Sequence, residues 1–229
     1  MPKRKPTPRP TDLRRAILDA SLALLEDGVA ALSMREVARR AHVTHAAPYH
    51  HFPDRGAIMA ALAQEGFDLM AAQMDAAMRL EPVGSIARFE AIGRAYVTFA
   101  VEHAPYMRVM FRPELFPAAV HPKVDECALC AMQILVDCVA ECQKGGTIPA
   151  GDASGIVLTS WAAMHGLAML WIDGPLSRLY PASSPLVMAE AVTSALGGLL
   201  VAASRRMDRG APPDPVPSTH GPRASPRRR

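Results

Sequence analysis

The sequence predicts an all-α protein in which a head of three short helices precedes a larger helical body. Apolar residues recur at helical spacing; Leu13, Ile17, Ala20 and Leu24, for example, form one stripe at i, i+4, i+7 and i+11. Ala, Leu and Met are abundant and aromatic residues make up only 5% of the chain. This composition favours helices because straight side chains lose little rotamer freedom there. No segment alternates apolar and polar residues clearly enough to predict a strand.

Start and stop signals divide the chain into separate helices. Ser33 and Glu36 form a capping-box pattern, and Asp54 is placed to cap the next long helix. Gly28 and the pair Gly145-Gly146 are placed to end helices, because glycine readily takes the left-handed cap conformation. Together the signals predict helices over 11–27, 33–41, 44–51, 55–80, 85–103, 106–111, 123–143, 153–172 and 186–207, with a Pro- and Ser-rich loop over 175–185.

Charge is distributed unevenly along the 229 residues, although the formal net charge is only +3. Residues 1–60 carry +4, residues 61–204 carry −6 and residues 205–229 carry +5. A basic head on an acidic body predicts a polyanionic partner for the head, although a solvated basic tail explains the charge alone equally well. The basic, Pro-rich ends predict a disordered arm over 1–10 and a disordered tail over 208–229.

The ends and the longest apolar stretch together predict a cytoplasmic protein. The chain opens MPKRKPTPRP, which is not an apolar signal segment. The stretch 156–172 is interrupted by Thr159, Ser160 and His165, and it is short for a membrane span, which needs about 20 apolar residues. We therefore expect neither secretion nor a membrane partner, and we expect the cysteines to be free of structural disulfides.

The segment 11–51 predicts a helix-turn-helix. Its second and third helices must cross closely, and Ala38, Ala41 and Ala47 supply small residues near the turn. The third helix then presents polar groups to the major groove of DNA and to the flanking phosphates. An ordinary helical hairpin with a solvated basic face is the alternative interpretation of the same pattern.

The run from Leu32 to Met59 resembles the N-terminal domain of TetR/AcrR-family transcriptional regulators. The shared elements are Val-Thr at 43–44, Tyr49 followed by His-Phe at 51–52, and a basic residue in Pro-Asp-Arg at 53–55. The resemblance covers residues 11–60 and implies DNA binding.

Two positions depart from the pattern of that family. His42 stands in the turn where the family usually has Gly, so we expect a strained or left-handed residue there. Arg55 stands where Lys is usual, which keeps the positive charge but changes the geometry of a phosphate contact.

The candidate DNA contacts follow from the resemblance and from side-chain chemistry. Tyr49 is predicted to place its hydroxyl on a phosphate, and Arg55 to hold a phosphate at a helix start. Thr44 is predicted to cap its helix and to touch the DNA backbone. His45, Ala46 and His50 are predicted to face bases, with backbone contact as an equally good alternative. The complete set of candidates is Arg35, Thr44, His45, Ala46, Tyr49, His50 and Arg55.

The body resembles the C-terminal ligand-binding type of the same family that is named for a Trp…His-Gly signature. The signature corresponds to Trp161 and His165-Gly166, and the segment 95–111 also fits. The resemblance implies a homodimer in which the last two long helices of each subunit form a four-helix interface. It also implies a cavity in each C-terminal domain and release of DNA when a small-molecule effector binds.

The body carries Met, Phe and Tyr where a packed bundle would favour Leu, and these residues predict an adaptable, mostly apolar cavity. His165 can hydrogen-bond a ligand there, or it can satisfy a core carbonyl. The helix that starts at Arg55 carries Met70, Met74 and Met78 at its far end, so it is predicted to link the cavity to the head. The predicted cavity residues are Phe89, Tyr96, Phe99, Met107, Met110, Phe111, Met132, Trp161 and His165.

Small residues in the last helix predict the contact between subunits. The segment 186–204 contains Ala195, the run Gly198-Leu199 and the run starting at Ala202, all suited to close helix contact. With the helix over 153–172, they are expected to form the dimer interface.

We interpret the chain as a ligand-responsive DNA-binding transcriptional regulator that acts as a repressor. The alternative is a DNA-binding regulator without a small-molecule effector, either thiol-sensing or architectural. Four cysteines motivate the thiol alternative because they fall within about a third of the circumference of one helix, although Cys also serves as a small buried hydrophobe. They are Cys127, Cys130, Cys138 and Cys142.

Catalytic and metal-binding patterns do not emerge from the sequence. His45, His50 and His51 lack the i, i+4 spacing that places two metal ligands on one helical face. We find no Ser-His-Asp arrangement, no glycine-rich phosphate loop and no Glu-x-x-His pair of the kind found in di-metal bundles. We therefore expect no catalytic residues, no metal and no cofactor.

Overall fold

The computed structural model describes residues 10–208; the predicted arm over 1–10 and tail over 208–229 lie outside this range apart from residues 10 and 208. Over these described residues the regular secondary structure is helical, which confirms the predicted all-α class. The α-helices are α1 (Pro10–Leu25), α2 (Met34–Arg40), α3 (Arg55–Arg79), α4 (Ile86–Glu102), α5 (Ala104–Met110), α6 (Pro122–Lys144), α7 (Ser154–Ile172), α8 (Pro175–Leu179) and α9 (Pro185–Asp208). Short 3-10 helices lie at Val29–Ala31, Ala47–His50 and Pro113–Leu115.

The predicted capping residues begin their helices as expected. The Glu36 amide donates to Ser33 Oγ over 3.2 Å, and the Ala57 amide donates to Asp54 Oδ1 over 2.8 Å. A capping box also predicts that the Glu36 side chain accepts from the Ser33 amide, and this half of the prediction is wrong. The Glu36 carboxylate accepts from Arg39 Nε at 2.7 Å instead of reaching back to Ser33, because a cation one turn along the helix competes for it.

One helix was missed in the sequence. The segment 175–185, predicted to be a loop, begins with α8. Gly174 has φ 95°, a left-handed conformation that separates α7 from α8, and Pro175 occupies the first turn, where its missing N–H costs little. The remaining helices agree with the predicted ranges to within about two residues at each end, apart from the third helix of the head.

A single apolar core runs from the head into the body. It includes Ile17 and Val37 in the head, Phe67 in the middle of α3, and Phe99 and Met164 in the body. Helix α4 is central and packs against α3, α6, α7 and α9. A Cβ on Gly93 would lie 2.5 Å from Thr193 Cγ2, so α4 and α9 approach closely at that point.

Helix α3 belongs to both parts of the molecule. It contains 25 residues, a length of roughly 37 Å at 1.5 Å per residue. Ile58 and Leu62 near its start are fully buried, and Met70 and Met74 nearer its end are each only 4% exposed. The helix therefore connects the head to the body without a break.

Candidate functional site

The turn of the helix-turn-helix is built on α2. Val37 and Ala38 are the buried residues of this helix, and the Val43 amide donates to the Ala38 carbonyl over 3.0 Å. His42 has φ 55°, which confirms the left-handed residue expected where a Gly is usual. A histidine tolerates this conformation better than a β-branched residue would.

The third helix of the head is shorter than predicted. It is a 3-10 helix over Ala47–His50 rather than an α-helix over 44–51, and Ala46 precedes it without a side-chain cap. The capping role predicted for Thr44 is therefore wrong, although its carbonyl accepts from the Ala47 amide over 3.0 Å. Pro48 explains the difference, because it has no N–H to continue an α-helical ladder and its ring is buried in the head.

Most of the predicted DNA-contacting residues are on the surface. Tyr49 is 47% exposed, and its ring centroid lies 5.8 Å from that of His45. The structure leaves these side chains available to a partner, while the contacts themselves stay predictions. The exposed members of the set are Arg35, Thr44, His45, Ala46, Tyr49 and His50.

Arg55 differs from the other candidates. It is half-buried, and its Nη2 donates to the Val29 carbonyl over 2.7 Å. Its Nε is buried without a hydrogen-bond partner among the described residues. Arg55 therefore ties the start of α3 to the turn after α1, so its substitution would disturb the head as well as any phosphate contact.

The body contains a partly open cavity of about 570 Å³ bounded by α3, α4, α6, α7 and α9 and by the end of α5. This volume lies within the usual range for small-molecule sites. The lining is mostly aromatic and aliphatic, as the sequence predicted. Seven of the nine predicted residues line it: Phe89, Tyr96, Met110, Phe111, Met132, Trp161 and His165.

Phe99 and Met107 were also predicted to line the cavity, and they do not. Phe99 is completely buried, with its ring centroid 4.9 Å from that of His103, and Met107 is 1% exposed. Both belong to the packed core, because Phe99 lies one turn beyond Tyr96, the last cavity residue of α4, and Met107 lies one turn before Met110 in α5.

Three residues of α3 that were not assigned to the cavity also line it: Phe67, Met70 and Met74. Their spacing of three and four residues places them on one face of the helix, a signal present in the sequence. Met70 and Met74 were recognised only as the far end of a linking helix. Residues of α6 and α9, such as Leu135 and Leu196, were missed because nothing local distinguishes them from core.

The polar centre of the cavity is a pair of side chains, the buried Tyr96 from α4 and the half-buried His165 from α7. Tyr96 Oη lies 2.8 Å from His165 Nδ1. Burial raises the pKa of Tyr96 and lowers the pKa of His165, so both groups are neutral near pH 7. The ring of Phe111 meets that of His165 edge-on at 4.6 Å, which holds the imidazole in place.

Polar contacts join the head to the body near the cavity. Arg108 on α5 donates from Nη1 to the carbonyls of Leu25 and, over 2.6 Å, Glu26 at the end of α1. Glu65 on α3 accepts from Tyr106 Oη and from Arg15 Nη1, each over 2.6 Å. Burial and this carboxylate raise the pKa of Tyr106 to about 12. The last turn of α5 thus contacts the head through Arg108 and lines the cavity through Met110, two residues later.

An apolar surface covers the outer faces of α7 and α9. Leu158 on α7 is 61% exposed and Leu199 on α9 is 70% exposed. The four residues predicted for the dimer contact, Ala195, Gly198, Leu199 and Ala202, are all exposed on α9. Among the described helices, these two are also long and apolar enough to cross a membrane by length and composition, which is weak evidence on its own.

The four cysteines of α6 are free and differ in exposure. Cys138 and Cys142 are completely buried, Cys127 is half-buried and Cys130 is exposed. Burial raises the pKa of Cys127, which lowers its thiolate fraction. A hydrogen bond with Cys142 raises the pKa of Cys138 and lowers that of Cys142.

A helix-turn-helix head joined by one long helix to a helical body with an apolar cavity defines a ligand-binding transcriptional regulator. Comparisons with known proteins give the family. The family described as bacterial regulatory proteins, tetR family, matches residues 17–62, and the tetracyclin repressor-like C-terminal domain matches residues 89–196. The chain belongs to the TetR family of transcriptional regulators, with a helix-turn-helix DNA-binding domain and a C-terminal ligand-binding domain.

Solved structures of similar fold cover most of the chain. A protein with unknown function from Rhodococcus sp. RHA1 is 36% identical, with a TM-score of 0.72 over 82% of this chain and 95% of that chain. The TetR family transcriptional regulator PfmR from Thermus thermophilus is 16% identical, with a TM-score of 0.66 over 79% and 96%. The transcriptional regulator FadR from Bacillus subtilis in complex with stearoyl-CoA is 16% identical, with a TM-score of 0.65 over 82% and 98%. A comparison with curated proteins finds no match.

Proposed function

We propose that this chain is a homodimeric repressor that binds operator DNA and is released by a small, largely apolar effector. Residues 11–55 form the DNA-binding domain, and residues 56–207 carry the effector cavity and the subunit contact. The observation that carries the proposal is the course of α3. One uninterrupted helix starts in the head at Arg55 and lines the cavity with Phe67, Met70 and Met74.

Release of DNA follows from a change in how the body holds the head. An effector in the cavity presses on α3 and on the end of α5, where Met110 lies. Helix α5 also holds the end of α1 through Arg108, so both connections respond to the same ligand. The effector must bind the released state better than the DNA-bound state, and DNA must weaken effector binding by the same factor.

Trp161 and His165 support assignment of the body to the Trp…His-Gly type of the family. Both side chains line the cavity, with ring centroids 6.0 Å apart. The complex of FadR from Bacillus subtilis with stearoyl-CoA supports the view that a body of this shape accommodates a largely apolar ligand. The lining here, which is rich in Met and aromatic residues, suits such a ligand.

The exposed faces of α7 and α9 support the homodimer. Large apolar patches on a soluble protein mark interaction sites, and a twofold dimer presents the same patch on both subunits. A Cβ on Gly198 would meet nothing within 4 Å, so a partner helix can approach closely there. We assign these faces to subunit contact rather than to a membrane, and we place the dimer in the cytoplasm, where DNA is accessible.

The thiol-sensing alternative has weaker support. Cys138 and Cys142 are closed to an oxidant by their complete burial and the half-buried Cys127 has a raised pKa, which leaves Cys130 as the one exposed thiol of the four. An effector cavity of about 570 Å³ also argues against a regulator without a ligand. The proposal assigns the chain no catalytic step and no cofactor.

Binding to a mixed-sequence duplex tests the DNA-binding part of the proposal. The logarithm of the affinity should fall linearly with the logarithm of salt concentration, with a slope of about −0.9 per neutralised phosphate. Arg35→Gln should make the slope less steep by about 0.9, the contribution of one phosphate contact. Tyr49→Phe should weaken binding to all duplexes by roughly fivefold without changing the slope, because it removes one uncharged hydrogen bond.

Arg178→Gln is the matched control for this titration. Arg178 is exposed on α8, away from the head, so its loss should leave both affinity and slope unchanged. Fluorescence anisotropy over a range of salt concentrations provides the measurement. A flat salt response of the parent protein would contradict DNA binding by the head.

A further inference from the structure

We propose that the effector is an uncharged lipophilic molecule bearing a hydroxyl group, which sits against Tyr96 and His165 and is preferred over the corresponding carboxylate. This inference rests on the proposed function and narrows the chemical class of its ligand. It is drawn from the distribution of polar groups around the cavity.

The polar groups of the lining are few, and most are already engaged. Ser160 Oγ donates to the Ile156 carbonyl over 2.7 Å, and Thr193 Oγ1 donates to the Glu190 carbonyl over 3.1 Å, each within its own helix. Asp125 is exposed at the rim. The indole N–H of Trp161, the remaining polar group of the described lining, is engaged by the Tyr96 hydroxyl. Buried Tyr96 and half-buried His165 therefore form the one polar pair that the described lining offers to a ligand.

A hydroxyl group suits this pair in both of its hydrogen-bonding arrangements. If Tyr96 donates to Nδ1, the imidazole carries its proton on Nε2 and the pair offers a donor there and an acceptor on the phenol oxygen. If Nδ1 donates to Tyr96, the phenol becomes the available donor and Nε2 the acceptor. A ligand hydroxyl can donate and accept, so it completes either arrangement.

The charge of the lining disfavours anions. None of the described lining residues is Lys or Arg, and the charged group at the rim, Asp125, has the same sign as a carboxylate. The lowered pKa of His165 keeps it neutral, so it does not supply a counter-charge. Burying an unpaired carboxylate is strongly unfavourable, and we expect discrimination of at least ~100-fold against it.

Three probes with the same octylphenyl skeleton separate these effects: 4-octylphenol, its methyl ether 4-octylanisole, and 4-octylbenzoate. Equilibrium dialysis of each against the free full-length protein at pH 7.5 measures binding without DNA. We expect 4-octylphenol to bind at least ~100-fold more tightly than 4-octylbenzoate. Tyr96→Phe should weaken 4-octylphenol by about 5- to 10-fold and should weaken 4-octylanisole less, because the ether can accept a hydrogen bond from the pair but cannot donate one to it.

Tyr106→Phe is the matched control, because it removes the same atom from a tyrosine outside the cavity whose hydroxyl binds Glu65. It should leave the affinities of all three probes unchanged. Equal or tighter binding of 4-octylbenzoate would overturn the inference while leaving an effector cavity in place. Failure of 4-octylphenol to bind would also overturn it. So would an equal loss of affinity for 4-octylphenol and 4-octylanisole in the Tyr96→Phe variant. Because DNA is absent, these outcomes are independent of whether any effector releases the operator.

Discussion

Leu199→Glu should convert the dimer into monomers and abolish operator binding. Leu199 is 70% exposed in the isolated chain, at the centre of the apolar face on α9. In a twofold dimer the substitution places an unpaired carboxylate in both halves of the same interface. If each costs on the order of 3 kcal/mol, association weakens by roughly 10⁴-fold. Loss of the dimer removes the second head, and with it the specific affinity that two linked half-sites provide.

Sedimentation velocity at micromolar concentration measures this change directly. The matched control is Leu80→Glu, which introduces the same charge at a leucine that is 85% exposed beyond the end of α3 and outside α7 and α9. That variant should remain dimeric and should bind operator like the parent. An unchanged dimer in Leu199→Glu would contradict the assignment of the interface.

Trp161→Ala and His165→Ala should each remove the response to an effector while leaving operator binding intact. Both side chains line the cavity, and neither contacts the head. The effector of the parent protein is expected to lower operator affinity by a coupling of about 1–3 kcal/mol, roughly 5–150-fold. In the variants this factor should fall close to one, because the ligand loses its principal aromatic and polar contacts. Operator titrations with and without a molecule that releases the parent from DNA measure the factor.

The chain offers matched controls for both substitutions. Trp171→Ala removes the same side chain from the same helix at a position outside the cavity lining, and His103→Ala removes an imidazole that packs on Phe99. Both controls should retain the response. If Trp161→Ala and His165→Ala also retain it, the effector binds elsewhere in the body.

The class of fold and the order of the helices could be predicted because they depend on local signals. The capping residues Ser33 and Asp54 define their helix starts by short-range hydrogen bonds, and the structure contains both. The left-handed His42 was also predictable, since the family it resembles usually has Gly at that position, and Gly readily takes positive φ. The third helix of the head was harder, because Pro48 acts through the absence of one N–H and through its burial in the head.

The cavity was only partly predictable, because it depends on which faces of distant helices meet. Aromatic and Met residues indicated a cavity, and Trp161 and His165 proved to line it. Phe99 has the same chemistry but lies one turn beyond Tyr96, where α4 is packed in the core, a distinction that the sequence of one helix does not contain. The pairing of Tyr96 with His165 joins residues 69 positions apart, and only the packing of α4 on α7 reveals it.

Selection of DNA duplexes from a random-sequence library by the full-length protein tests the central claim most directly. A dimer that reads DNA with two helix-turn-helix heads should enrich an inverted repeat whose half-sites lie about 10 base pairs apart, or a multiple of that distance, from centre to centre. Specific affinity for that repeat should exceed affinity for unselected DNA by at least ~10³-fold. A pool that shows no enriched sequence after repeated rounds, or only an isolated half-site, would contradict the claim that this chain is a dimeric operator-binding regulator.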